Sequence, residues 1–172
     1  MEIYRIENIT FTYPERESPA LNDVSLVIRR GDFVLMLYRA AGQPVVSEPE
    51  SFTDVNPQDY YAGAVAWAKA TGISTGVGND LFDPTGTLSR EQAFTFVYRA
   101  LAVFGKSFTD GSAADLSQFS DAGVVADYAA VPAATLVRMG IVSGADGKIL
   151  PGGVMTRSQM AKILCMVLQY NQ

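Results

Sequence analysis

The chain has 172 residues, 48% of them hydrophobic, with a formal net charge of −5 and no histidine. That length suffices for one domain or two small ones with a genuine core, and the apolar share argues against wholesale disorder. The acidic balance excludes a general attraction for nucleic acid or anionic membranes, and the missing histidines remove the commonest general base and metal ligand.

Residues 1–28 open with "IYRIENITF" and later "VSLVI", both alternating with period two, around the turn-rich "PERESPALND". The pattern predicts a short antiparallel β hairpin. No hydrophobic stretch of signal-peptide kind is present, so no export address is expected in these residues. The segment resembles the opening of an ABC-transporter ATPase of the cobalt- or vitamin-uptake kind, where an aromatic such as Tyr13 stacks on adenine. That family follows with a G-x-x-x-x-G-K-[ST] loop, whereas this chain continues "GDFVLMLYRAAGQP". Without the backbone cradle and its lysine nothing holds the phosphates, so nucleotide hydrolysis is not expected. "RRGDFV" therefore reads as a seam, with strand character ending by Ile28. Beyond it Phe33, Leu37 and Ala40/Ala41 share one face, which predicts a helix over 31–41.

An internal repeat follows. Residues 52–104 align with 119–171 at an offset of 67 or 68, matching Phe52 with Phe119, Asp54 with Asp121, Gly72 with Gly140, Pro84 with Pro151 and Arg90 with Arg157. Each unit reads as helix, loop, helix. Tyr61, Val65 and Ala68 mark the first helix, which Gly72 ends; "ISTGVGNDLFDPTGT" is a turn-rich loop. The second helix opens at Ser89 and aligns Ala93, Val97, Ala100 and Phe104. In the later unit Met160, Leu164, Val167 and Leu168 do the same. Short helices of this kind cannot bury their faces alone, so the units are expected to pack together. "SREQ" and "TRSQ" fit a capping box, with Ser89 and Thr156 as caps and Gln92 and Gln159 returning to them. The polar stretch 105–118 reads as a linker.

In both units an arginine follows the cap, where the helix end makes a cation unfavourable by about 0.3–1 kcal/mol. Two explanations stand. Each arginine pairs with a carboxylate of its own fold, such as Asp54 or Asp121. Alternatively, each joins its helix end to hold an external anion through a bidentate fork.

The units resemble the S-layer homology repeat of bacterial cell-surface proteins. The resemblance rests on "FTDV", "YYAGAVAWAKATGISTG", "FDP" and "SREQ" at 51–104, and on "FSDA", "DYAAVPAATLVRMGIVSG", "ILP" and "TRSQ" at 119–171. Residues 29–46 resemble the closing helix of a preceding repeat, with Arg30 at the arginine position. The resemblance implies a mainly α fold of helix-loop-helix repeats in a pseudo-threefold bundle. It also implies a non-catalytic anchoring module for anionic, pyruvylated secondary cell-wall polysaccharide, at the cell surface. Arg30, Arg90 and Arg157 are its expected ligand-binding residues, with Ser89 and Thr156 beside two of them. The sequence departs from the pattern in having Gln for the motif's glutamate, Tyr60, Tyr61 or Tyr128 where tryptophan is common, and Pro132 close to a helix start, tolerable only in the first turn.

No cofactor and no catalytic constellation is expected. The single Cys165, within "AKILCMVL", excludes an intrachain disulfide and a zinc site of cysteines and histidines. "GADGK" offers only Asp146 as a carboxylate and reads as a turn, not a calcium loop. Trp67 reads as core or groove wall. No apolar run approaches ~18 residues, so no membrane span is expected. Because the first prong lacks its own first helix, the apolar face of helix 31–41 is expected to miss a partner. It would then be covered by the N-terminal strands or by a second chain, giving a homo-oligomer. The alternative function is a non-binding structural fragment whose broken first repeat forms no groove.

Overall fold

The computed structural model describes residues 27–47 and 51–170. They form six α-helices: α1 (Arg30–Ala40), α2 (Ala62–Ala70), α3 (Arg90–Val103), α4 (Ala113–Leu116), α5 (Asp127–Arg138) and α6 (Arg157–Gln169). A 3-10 turn at Ala122–Val124 precedes α5. Helix α1 lies within a residue of the predicted span. Asp32 in its first turn and Arg39 in its last suit the helix dipole.

The helix starts are also the joints of the fold. A helix leaves its first amides without internal partners. In α3 the capping box satisfies one: Ser89 Oγ accepts from Gln92 N at 3.3 Å. Thr156 does the same for Gln159 N in α6. The two amides before it reach out to the next unit. Arg90 N donates to Gly153 O at 2.7 Å and Glu91 N to Pro151 O at 3.0 Å. One unit earlier, Arg30 N donates to Gly86 O and Gly31 N to Pro84 O, both at 2.9 Å.

The same register closes a ring. Isolated antiparallel bridges join Arg29 to Thr87, Ser89 to Val154, and Thr156 to Val27. Each pairs a cap position with the residue two places before the next cap. Between them sit Ile28, Leu88 and Met155, all fully buried. Three apolar side chains at equivalent positions on a pseudo-threefold axis thus form the hub of the core.

Around this hub the closing helix of each unit packs on the opening helix of the unit that follows: α1 on α2, and α3 on α5. This corrects the expectation for α1. Phe33, Val34 and Leu37 are fully buried, so its apolar face has a partner and offers no ground for self-association. The helix without such a partner, among the described residues, is α6, which meets α1 near the hub. Leu168, expected on a packed face, is 48% exposed.

Residues 110–116 are fastened to α5. Gly111 N donates to Thr135 Oγ1 at 2.8 Å, Arg138 Nη1 to Asp110 O at 2.8 Å, and Arg138 pairs with Asp115 at 2.9 Å. Pro132 is the sixth residue of α5, past the first turn, and buried. Its ring deprives the Tyr128 carbonyl of the usual amide partner. The helix continues because tertiary packing holds both flanks, with Ala129, Ala133, Ala134 and Leu136 buried.

The β hairpin expected over 1–28 lies outside the described residues, apart from Val27 and Ile28. Among the described residues strand character is limited to isolated bridges. Trp67 is buried and tilts against Tyr38 with ring centroids 5.5 Å apart, so it belongs to the core. Asp146 sits at φ 50 in a tight turn bridged from Ala145 to Lys148.

Candidate functional site

Each repeat builds its loop in the same way. The aspartate of its opening motif turns back onto two successive amides. Asp54 accepts from Phe82 N at 2.8 Å and Asp83 N at 2.7 Å. Asp121 accepts from Ile149 N and Leu150 N, both at 2.8 Å. The arginine of the preceding closing helix then donates to the carbonyl of the first of those residues. Arg30 Nη1 reaches Phe82 O at 3.0 Å, and Arg90 Nε reaches Ile149 O at 3.0 Å. One residue of each loop is therefore held by a carboxylate on its N–H and a guanidinium on its C=O. Asp54 and Asp121 are loop clamps, not the arginine partners that one of the two sequence readings offered.

The two arginines then diverge, because the next loop residue differs. Arg30 Nη1 pairs with Asp83 Oδ2 at 2.8 Å and also donates to Asp83 O at 2.9 Å; the side chain is 8% exposed. At Arg90 the corresponding residue is Leu150, and no carboxylate pairs with it within 4.0 Å among the described residues. Its guanidinium carbon lies 5.2 Å from the Phe94 ring centre. Burial lowers the Arg90 pKa and the charge of Asp121 partly offsets that. The group stays protonated at any ordinary pH. Arg90 is thus a half-buried cation held by a carbonyl and a ring, with Asp121 acting on it only from beyond ion-pair distance among the described residues.

Two equivalent grooves result. The first, about 430 Å³, is lined by Arg30, the loop Thr75–Val77, Gln92, Thr95, Phe96 and Arg99 of α3, and Tyr128 of α5. The second, about 240 Å³, is lined by Arg90, the loop Ser143–Ala145, Leu150, and Gln159, Lys162 and Ile163 of α6. At an offset of 67 or 68, the loop residues and the glutamines correspond one to one. Gly76 and Gly144 are required in these walls. Both have φ near +70 to +80, and an added Cβ would strike the carbonyl of Leu81 or Lys148. Tyr128 adds a wall to the first groove and donates to Glu91 at 3.3 Å. Burial and then Glu91 raise its pKa. No counterpart of Tyr128 lines the second groove among the described residues.

Of the expected site residues, Arg30 and Arg90 line grooves. Arg157 is exposed in the first turn of α6 and lines neither of these grooves. Ser89 and Thr156 spend their hydroxyls on capping. Sequence reasoning missed Arg99 and Lys162. Their counterparts are Met166 and Thr95, so the repeat register gives no signal for them.

The loop clamp predicts a pH response. Burial raises the Asp121 pKa, but the Ile149 and Leu150 amides and the charge of Lys148 outweigh it, and the net shift is downward. A depressed folded-state pKa contributes stability above the unfolded value, which is lost as pH falls through the folded one. Thermal midpoints are expected to fall on acidification below the ordinary carboxylate range. Asp121→Asn, followed by circular dichroism, is expected to flatten that dependence while lowering the midpoint near neutrality.

The S-layer homology domain family model matches residues 51–94 and 118–161, together about half of the chain. The chain is 25% identical over 146 residues to Exoglucanase XynX of Acetivibrio thermocellus, covering 84% of this chain and 13% of that protein. It is 28% identical over 123 residues to the Surface-layer 125 kDa protein of Lysinibacillus sphaericus, covering 69% and 10%. With a Cell surface protein of Thermoanaerobacter kivui it shares 42% identity over 65 residues, covering 37% and 8%. The chain thus spans about a tenth of the length of these curated relatives. None of these matches supports the ATPase-like reading of residues 1–28, which is set aside. The two matched segments coincide with the two units whose loops, clamps and capped helices build the grooves, and the chain belongs to the S-layer homology domain family.

Proposed function

We propose that the chain is a non-catalytic module that anchors a larger protein at the cell surface by binding an anionic wall polysaccharide. The observation that carries this reading is Arg90. It lines a groove together with Lys162, and no carboxylate within 4.0 Å neutralises it among the described residues. A carboxylate borne on a sugar, such as a pyruvyl ketal, fits this arrangement. Its charge faces Arg90 and Lys162, and its methyl group faces Leu150 and Ile163. In the first groove Arg30 is neutralised by Asp83 and fixes the floor, leaving Arg99 as the cation for ligand. Ser89 and Thr156 act by shaping the helix tips that present Arg90 and Arg157.

A charge-assisted hydrogen bond contributes about 1.5–3 kcal/mol, or roughly 10- to 100-fold in affinity. Co-sedimentation with purified cell-wall sacculi is expected to retain the parent protein. It is expected to lose the Arg90→Ala, Arg157→Ala double variant, with helical content unchanged by circular dichroism. Equal retention of a folded double variant would refute the arginine assignment. No retention of the parent would favour a non-binding structural fragment.

A further inference from the structure

We propose that Asp83 is a built-in stand-in for the anionic group of the ligand. It occupies Arg30 from within the fold and makes the first groove the weaker of two unequal sites. The inference rests on the anchoring reading above and deepens it, by naming the groove that takes a sugar carboxylate on its helix-tip arginine. The two loops share a backbone conformation at this point. Asp83 has φ 56, and Leu150, its counterpart at an offset of 67, has φ 54. Gly86 N donates to Asp83 O and Gly153 N to Leu150 O, both at 3.1 Å. The same turn therefore carries a carboxylate in one unit and an aliphatic side chain in the other.

That carboxylate is built into its place. Asp83 Oδ2 lies 2.8 Å from Arg30 Nη1, with the arginine buried and the aspartate half-exposed. It is turned in over Gly86, where an added Cβ would strike Oδ2, so the glycine leaves the room it needs. An external carboxylate approaching Arg30 meets a guanidinium that is already neutralised and a like charge beside it, which repels it. At Arg90 the aliphatic Leu150 brings no such charge.

The rest of the first groove points the same way. Lys162, the second cation of the second groove, has Thr95 as its counterpart. Thr95 is buried, and its hydroxyl donates to Glu91 O at 2.9 Å, so it is spent within α3. The remaining cation of the first groove, Arg99, donates to Ile73 O at 3.2 Å. It stands ten positions after the Ser89 cap, whereas Lys162 stands six after the Thr156 cap. Its charge is therefore displaced by about 6 Å along the helix, away from the tip. A sugar carboxylate finds two cations near the helix tip in the second groove and one, farther away, in the first.

Gly76 and Gly144 line the two grooves at equivalent places, so their amide signals report on each groove separately. The methyl glycoside of a pyruvyl-ketal hexose is titrated into the isotope-labelled full-length chain, and both signals are followed by nuclear magnetic resonance. In the parent the Gly144 signal is expected to titrate with at least about tenfold tighter affinity than the Gly76 signal. Asp83→Leu places in this loop the residue that its counterpart already carries at the same φ. It is expected to tighten the Gly76 response by about tenfold and leave Gly144 unchanged. The reciprocal Leu150→Asp is expected to weaken the Gly144 response by about tenfold. Asp83→Asn, which keeps the shape and suits a left-handed backbone, is expected to move Gly76 in the same direction and serves if Asp83→Leu does not fold. Equal affinities at the two signals in the parent, or a Gly76 response unchanged in a folded Asp83 variant, would overturn the proposal and leave the anchoring reading standing. No response at either signal in the parent would overturn the anchoring reading, and this proposal with it.

Discussion

Leu88→Asp is expected to abolish cooperative thermal unfolding of the bundle. Leu88 is fully buried between two of the three bridges, and its carbonyl accepts from Met155 N at 2.9 Å. Its neighbours around the axis are Ile28 and Met155, both fully buried, so an ionised carboxylate there is set among apolar side chains. Desolvation of an unpaired charge amounts to several kcal/mol, comparable with the whole stability of a small domain at about 5–15 kcal/mol. Leu88→Ala tests the same position more gently, through lost transfer energy and a cavity, at about 2–5 kcal/mol. Because the hub joins all three closing helices, its loss is expected to remove the packing of both units together. Circular dichroism at rising temperature checks this. A Leu88→Asp protein melting within a few degrees of the parent would mean that the ring is not what holds the units.

Arg30→Ala and Arg90→Ala are expected to separate, although they are the same substitution at equivalent positions. Arg30 serves three acceptors: Phe82 O, Asp83 O and the Asp83 carboxylate. Its removal strands two carbonyls and a half-exposed carboxylate, at a cost of about 3 kcal/mol. Arg90 loses one hydrogen bond to Ile149 O and a ring contact, about 1 kcal/mol. Urea unfolding of both variants measures the difference. Arg30→Ala is expected to be the less stable by about 2 kcal/mol. Equal losses would show that Asp83 and Leu150 do not set the two arginines apart.

Much of this was legible in the sequence, for physical reasons. The capping boxes at Ser89 and Thr156 are local, so residue type and spacing were enough to find them. The helix at 31–41 followed from its apolar period. What periodicity could not carry was which helix packs on which. The repeat suggested that each unit buries its own pair, and so placed the bare face on α1. The structure pairs each closing helix with the next unit and moves that face to α6. Of the two readings of the arginines, the one that paired them with Asp54 or Asp121 does not hold. Asp54 and Asp121 are the carboxylates shared by both units, yet they hold loop amides. The deciding residue is the unshared Asp83, whose counterpart is Leu150. Arg99 and Lys162 escaped for the same reason. Alignment of repeats finds what the units have in common, whereas the charge of each groove lies in what they do not. Pro132 shows the other limit, a helix breaker tolerated because packing on both flanks outweighs local preference.

The central claim is that Arg90 holds an external anion. It is tested most directly by titrating solubilised wall polysaccharide into the parent protein and into Arg90→Gln in a calorimeter, at low and at moderate salt. The account predicts binding by the parent that weakens with salt, and a loss of at least about tenfold in Arg90→Gln with the fold intact. Undiminished, salt-independent binding by a folded Arg90→Gln protein would contradict it.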